Sequence, residues 1–166
     1  MLVSKKIIIA ILGAVMLLGS SAKLALAQEH DHGHAHHGVA SDQLSLNDGK
    51  KWEGDGNLRQ GMSRIRDALN ADLNAIHMGK ATGKQYQALA KKIDAQIEFM
   101  VNNCKLEPKA DAMLHLLLAD IIAGADAMKQ PDIGDARKGA EGVAQALESY
   151  GNYFTHPGWN KAQHGH

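Results

Sequence analysis

Residues 133–154, IGDARKGAEGVAQALESYGNYF, decide how this chain folds. Ile133, Ala136, Ala140, Val143, Leu147, Tyr150 and Phe154 recur at spacings of 3, 4, 3, 4, 3 and 4. A helix puts those positions on one apolar stripe, whereas a strand would scatter them over both faces. The stripe is rich in alanine, so a neighbouring helix can approach closely. Pro157 stops the helix, with His156 just before it.

Three further helical patterns precede this one. The first opens at Asn57, a good N-cap, and its stripe is Leu58, Met62, Ile65, Leu69, Leu73 and Ile76, with Gly79 as C′ residue. The second opens with Thr82-Gly-Lys-Gln85, which fits a capping box, and its stripe is Tyr86, Leu89, Ile93, Ile97, Met100 and Cys104. The third begins near Pro108. Its run MLHLLLADIIAGADAM, 113–128, is apolar around most of the circumference, so it is expected to be the most buried helix, with His115 inside it. No strand is expected. Each helix is about 20 residues, or roughly 30 Å. Short links make sequential helices antiparallel neighbours, so residues 51–159 are expected to form an all-α, up-down-up-down four-helix bundle. A helical hairpin completed by dimerisation is the alternative.

The chain start reads as an export signal over residues 1–27. Lys5 and Lys6 form its positive region, Ile7 to Leu18 its apolar run, and Ala25-Leu26-Ala27 a small-x-small cleavage pattern before Gln28. The signal looks bacterial, and the expected destination is the periplasm. The apolar run is shorter than the roughly 20 residues that a spanning helix needs, so no membrane insertion is expected after cleavage. The chain has 18 basic and 18 acidic residues. Loss of Lys5, Lys6 and Lys23 leaves 15 against 18, which gives no basic footprint for nucleic acid. Cys104 is the only cysteine, so no intramolecular disulfide can form.

Residues 28–50 are rich in His, Gly, Asp and Ser and are expected to be disordered, as is the tail 160–166. Within them, EHDHGHAHHG at 29–38 carries His30, His32, His34, His36 and His37 beside Glu29 and Asp31. Period-two spacing points the first four rings to one side of an extended chain. Imidazoles and carboxylates at this density suit Zn²⁺, Cu²⁺ or Ni²⁺. The rings bind only when neutral, so capture weakens below about pH 6. A solvated tail without a ligand is the plainer alternative.

Up-down topology also gathers Met62, Met100, Cys104, Met113, His115, Tyr150, Tyr153 and His156 towards one end of the bundle, flanked by Trp52 and Trp159. Thioether, thiolate and imidazole are ligands for copper and zinc. Met62, Cys104, His115 and His156 are therefore candidates for a second metal site. Each also has an ordinary reading: core filler for the methionines, a small hydrophobe for Cys104, a backbone-bonded histidine for His115, and a helix-terminal cation for His156.

With Met62 early in the first helix and His156 near the end of the fourth, the layout resembles the soluble b-type four-helix-bundle cytochromes of the periplasm. That resemblance implies haem b held by Met62 and His156, in an electron carrier or gas-binding protein. The chain has no C-x-x-C-H, so covalent haem is not expected. The segments NCKLEPKADAMLHLLLADIIAGADAM and YGNYFTHPGW look like parts of small, uncharacterised, exported His-rich proteins of proteobacteria. That second resemblance implies an exported helical domain and assigns no site. No H-E-x-x-H, no core Glu-x-x-His and no recognisable nucleophile–base motif appears, so no enzyme is expected. The primary expectation is a periplasmic protein that captures copper or zinc. A structural or chaperone-like bundle is the third.

Overall fold

A computed structural model of the chain describes residues 43–159. The signal 1–27, the tract with His30, His32, His34, His36 and His37, and the tail 160–166 lie outside the described residues. Four helices dominate: α1 (Gly56–His77), α2 (Gly83–Asn103), α3 (Pro108–Met128) and α4 (Ile133–Tyr153). The expected all-α, four-helix arrangement is present.

Local chemistry explains the helix starts. Asp55, not Asn57, caps α1: its Oδ1 accepts from the Leu58 amide at 2.7 Å. Oδ2 of the same carboxylate accepts from the Lys105 amide at 2.7 Å, just beyond α2. The Asn57 side chain donates to Asn103 O at 2.8 Å. The start of α1 is thus tied to the end of α2. In the Thr82–Gln85 capping box, Thr82 N donates to Gln85 Oε1 at 2.9 Å and Gln85 N to Thr82 Oγ1 at 3.3 Å. Asp132 caps α4 by accepting from Asp135 N at 2.9 Å.

Most of the predicted stripe positions form the core, while Leu73 and Cys104 are half-buried and Ile133, at the open start of α4, is exposed. Leu58, Met62, Ile65, Leu69, Leu89, Ile93, Met100, Leu117, Ile121, Val143, Leu147 and Tyr150 are all fully buried or within one per cent of it. A buried side chain of this size contributes about 1.5–3 kcal/mol by leaving water. Helices α3 and α4 come closest at two glycines. A Cβ at Gly124 would lie 2.6 Å from Gly139 O, and one at Gly139 would lie 2.5 Å from Gly124 O.

Three features differ from expectation. Strand β1 (Trp52–Glu53) pairs in parallel with β2 (Phe154–Thr155), in register Trp52 with Phe154 and Glu53 with Thr155. Phe154 therefore leaves the helix at the last position of its stripe, and it buries its ring from the strand instead. Residues 43–50, read as the end of a disordered segment, are exposed apart from Leu44 but are held to the fold by that side chain and by hydrogen bonds. Leu44 is buried, and Ser45 O accepts from Trp52 Nε1 at 2.6 Å. Asn47 and Lys50 exchange backbone bonds of 2.8 and 2.9 Å across a turn at Asp48 and Gly49, both with positive φ. Leu44 within this stretch and Trp52 just beyond it are the buried anchors, while Leu46 is exposed. Finally, α3 is not buried all round. His115, Ala112, Ala119, Ile122 and Ala123 face solvent, because a helix at the periphery of four has one side without a neighbour. No helix among the described residues is long and apolar enough to cross a membrane.

Candidate functional site

The polar groups meet where the chain leaves α4. Beyond Phe154 it turns through Pro157 and Gly158, with Gly158 at φ +75° and Trp159 N donating to His156 O at 3.0 Å. That turn lays the Trp159 indole against Gly151, where a Cβ would lie 2.6 Å from Nε1. Tyr150 sits at the centre. Its ring stacks on Phe154 at 5.5 Å and meets Trp159 edge-on at 4.8 Å. Its hydroxyl lies 2.9 Å from His156 Nδ1, while His156 Nε2 lies 3.4 Å from Ser63 Oγ on α1. Arg66 covers the outer face of Trp159, 4.9 Å from the ring centroid.

Burial and charge set the protonation of this cluster. Burial pushes the Tyr150 phenol well above the usual range. Burial, then the nearby Arg66 and Arg59 guanidinium groups, push His156 below its usual value. With the phenol protonated and the imidazole neutral, the line reads Tyr150 O–H to Nδ1 and Nε2–H to Ser63 Oγ. The order hydroxyl, imidazole, orienting group is that of a nucleophile relay. However, a catalytic imidazole needs a partner that stabilises its cation, and a phenol held neutral does not. The line fastens the end of α4 to α1.

The sequence-predicted residues stand in four different environments. Met62 is fully buried among the apolar side chains of the core. His156 has both ring nitrogens engaged, so haem ligation would first require breaking one of those bonds. Cys104 is the half-buried C-cap of α2, its amide bonded to Met100 O at 2.8 Å. Burial, then the Asp55 carboxylate to which the thiol is hydrogen-bonded, pushes Cys104 up to about 12. A thiol so held resists becoming the thiolate that binds metal. His115 is on the solvent side of α3, its side chain 67% exposed, so it cannot share a site with Met62. Its Nδ1 lies 2.9 Å from Asp111 O and 3.4 Å from Asp111 Oδ2. Among the described residues, no three His, Cys, Asp or Glu side chains are gathered to hold a metal ion. The expected meeting of Met62, Cys104, His115 and His156 does not occur, because helical phase separates Met62 and His115 even where their positions along the helices agree.

Sequence reasoning missed Ser63, Arg59, Arg66 and Asp55. Ser63 lies 93 residues from His156 and belongs to no motif. Asp55 had a readable signal, since Asp is as good an N-cap as Asn and stands three residues before Leu58. An open hollow of about 300 Å³ lies elsewhere, lined by Ser45, Asp48, Trp52, Lys109 and Met113 among others.

Comparison with protein-family models, curated proteins and solved structures finds no match for this chain.

Proposed function

We propose that this is an exported transition-metal-binding protein, a periplasmic carrier of copper or zinc. Its histidine tract captures the ion, and an antiparallel, up-down-up-down bundle is the body that carries it. One observation bears the reading: five histidines and two carboxylates within residues 29–38. A chain of that composition wraps an ion without a fixed scaffold, and the ordering it undergoes keeps the affinity moderate, as exchange requires. The bundle's own donors support this division of labour. Met62 fills core space, His156 fastens a helix end, and Cys104 is held as a thiol.

The test is titration of the mature chain with Cu²⁺ and with Zn²⁺, beside a chain lacking residues 28–40. Capture by the first and its loss in the second is the expected result. Equal stoichiometry and affinity in both would remove the tract from the function.

A further inference from the structure

We infer that the outer face of α3 is a self-association surface, on which two copies of this chain pair antiparallel about a two-fold axis at the level of residue 120. The pairing needs only the bundle and is independent of metal capture.

The outer faces of the four helices differ. To solvent, α1 presents Arg64, Asp67 and Asn70, α2 presents Lys84, Lys91 and Glu98, and α4 presents Arg137, Lys138 and Glu141. On α3 the exposed residues between Lys109 and Asp126 are Ala112, His115, Ala119, Ile122 and Ala123, with Leu116 half-buried beside them. Ile122 alone leaves 41% of its surface in water. A contiguous apolar face of this kind marks an interaction surface, whereas scattered single apolar residues do not. From Ala112 to Ala123 it runs about 17 Å along the helix.

The face fits a second copy of itself. Helical phase sets Asp111, His115, Ile122, Asp126 and Lys129 along one edge of it, the edge towards α2, where Lys129 Nζ lies 2.8 Å from Asp94 Oδ2. Asp111 stands nine residues before position 120 and Lys129 nine after, while His115 stands five before and Asp126 six after. A two-fold axis perpendicular to the helices at that level brings the same edge of both copies together, running in opposite directions. Each Asp111 then faces Lys129 of the partner copy, and each His115 faces Asp126 of the partner copy. Lys129 already donates to Asp94 and Asp126 of its own chain, at 2.8 and 2.9 Å, and an ammonium has a third hydrogen to give. The apolar residues match in the same register: Ile122 falls opposite Ala119 and Leu116 opposite Ala123, large against small. A parallel pair would instead set Asp111 against Asp111 and Lys129 against Lys129, which like charge disfavours. One helix face is smaller than the roughly 800 Å² per partner of a standard stable interface, so the dimer is reversible, with a Kd of about 10–100 µM.

Sedimentation velocity on the full mature chain tests this, in EDTA so that no metal bridges the copies. Wild type is expected to pass from monomer to dimer between about 1 µM and 1 mM. Ala119→Glu sets two carboxylates beside the axis and is expected to weaken association on the order of tenfold or more. Its exposed position and the helix propensity of Glu keep the fold, which circular dichroism checks. Asn70→Glu, on the outer face of α1, leaves association unchanged. Cysteines introduced into a Cys104→Ser chain and oxidised with diamide test the register. Ala119→Cys, beside the axis, is expected to join two copies, and Ala112→Cys is not, because its two copies lie about 24 Å apart along the helices. Equal joining at both positions would overturn the antiparallel pairing. A wild type that stays monomeric throughout would overturn the proposal. So would association that appears only after residues 28–42 are removed, which would give the face to that segment of the chain.

Discussion

Two glycines three residues apart on α4 give opposite responses to one substitution. A Cβ at Gly139 would lie 2.5 Å from Gly124 O, 2.8 Å from Ala127 Cβ and 3.1 Å from Met128 N. Two of those three atoms are backbone of α3, so the helices must move apart to admit a methyl group. Overpacking of this kind costs about 1–3 kcal/mol. The better helix propensity of Ala offsets about 1 kcal/mol of it. Gly139→Ala should therefore lower stability by up to about 2 kcal/mol, allowing for that offset. At Gly142 an added Cβ meets nothing within 4 Å. Gly142→Ala keeps the propensity gain alone and should raise stability by about 0.5–1 kcal/mol. Urea unfolding followed by circular dichroism at 222 nm reads both as shifts of the midpoint with unchanged slope. If both variants moved the midpoint in the same direction by similar amounts, the glycine crossing would not be what sets the α3–α4 distance.

The remaining predictions concern the end of α4 and the thiol. His156 titrates below its usual 6.5 in the fold, so folding favours its neutral form. That contribution is complete above pH 6.5 and is lost as pH falls through the lower folded value. Tryptophan fluorescence should accordingly change with acid as Trp159 loosens, and His156→Phe should abolish that step; persistence of the step would assign it to another group. Cys104, pushed up from 9.0 to about 12, should be alkylated at pH 8 on the order of 1000-fold more slowly than a free thiol. A rate near that of a free thiol would show that it is neither buried nor bonded as described.

The helices were legible because their apolar positions recur at the helical period, and each was bounded by a cap or a proline. Where the pattern was ambiguous, the reading slipped for a physical reason. A helix apolar around most of its circumference, such as α3, does not mark its inner face, so the sequence leaves the side on which His115 lies open; it lies outward. A two-residue strand has no period to detect, which hid the pairing of Trp52 with Phe154. Segment 43–50 is polar apart from Leu44 and Leu46, and its order comes from Leu44 and from Trp52, which lies beyond its end. The candidate site was less legible than the fold. Topology brings far-apart positions to one level of a bundle, but helical phase decides which of them touch. At that end His156 meets Ser63 and Tyr150, while Met62 is buried in the core and His115 is exposed to solvent.

Elemental analysis with an absorption spectrum, on protein purified from its native host without chelators, tests the central claim most directly. The account predicts copper or zinc bound in near-stoichiometric amount, no Soret band, and loss of the metal when the five tract histidines are changed to Ala. Metal-free protein, or iron with a Soret band, would contradict it.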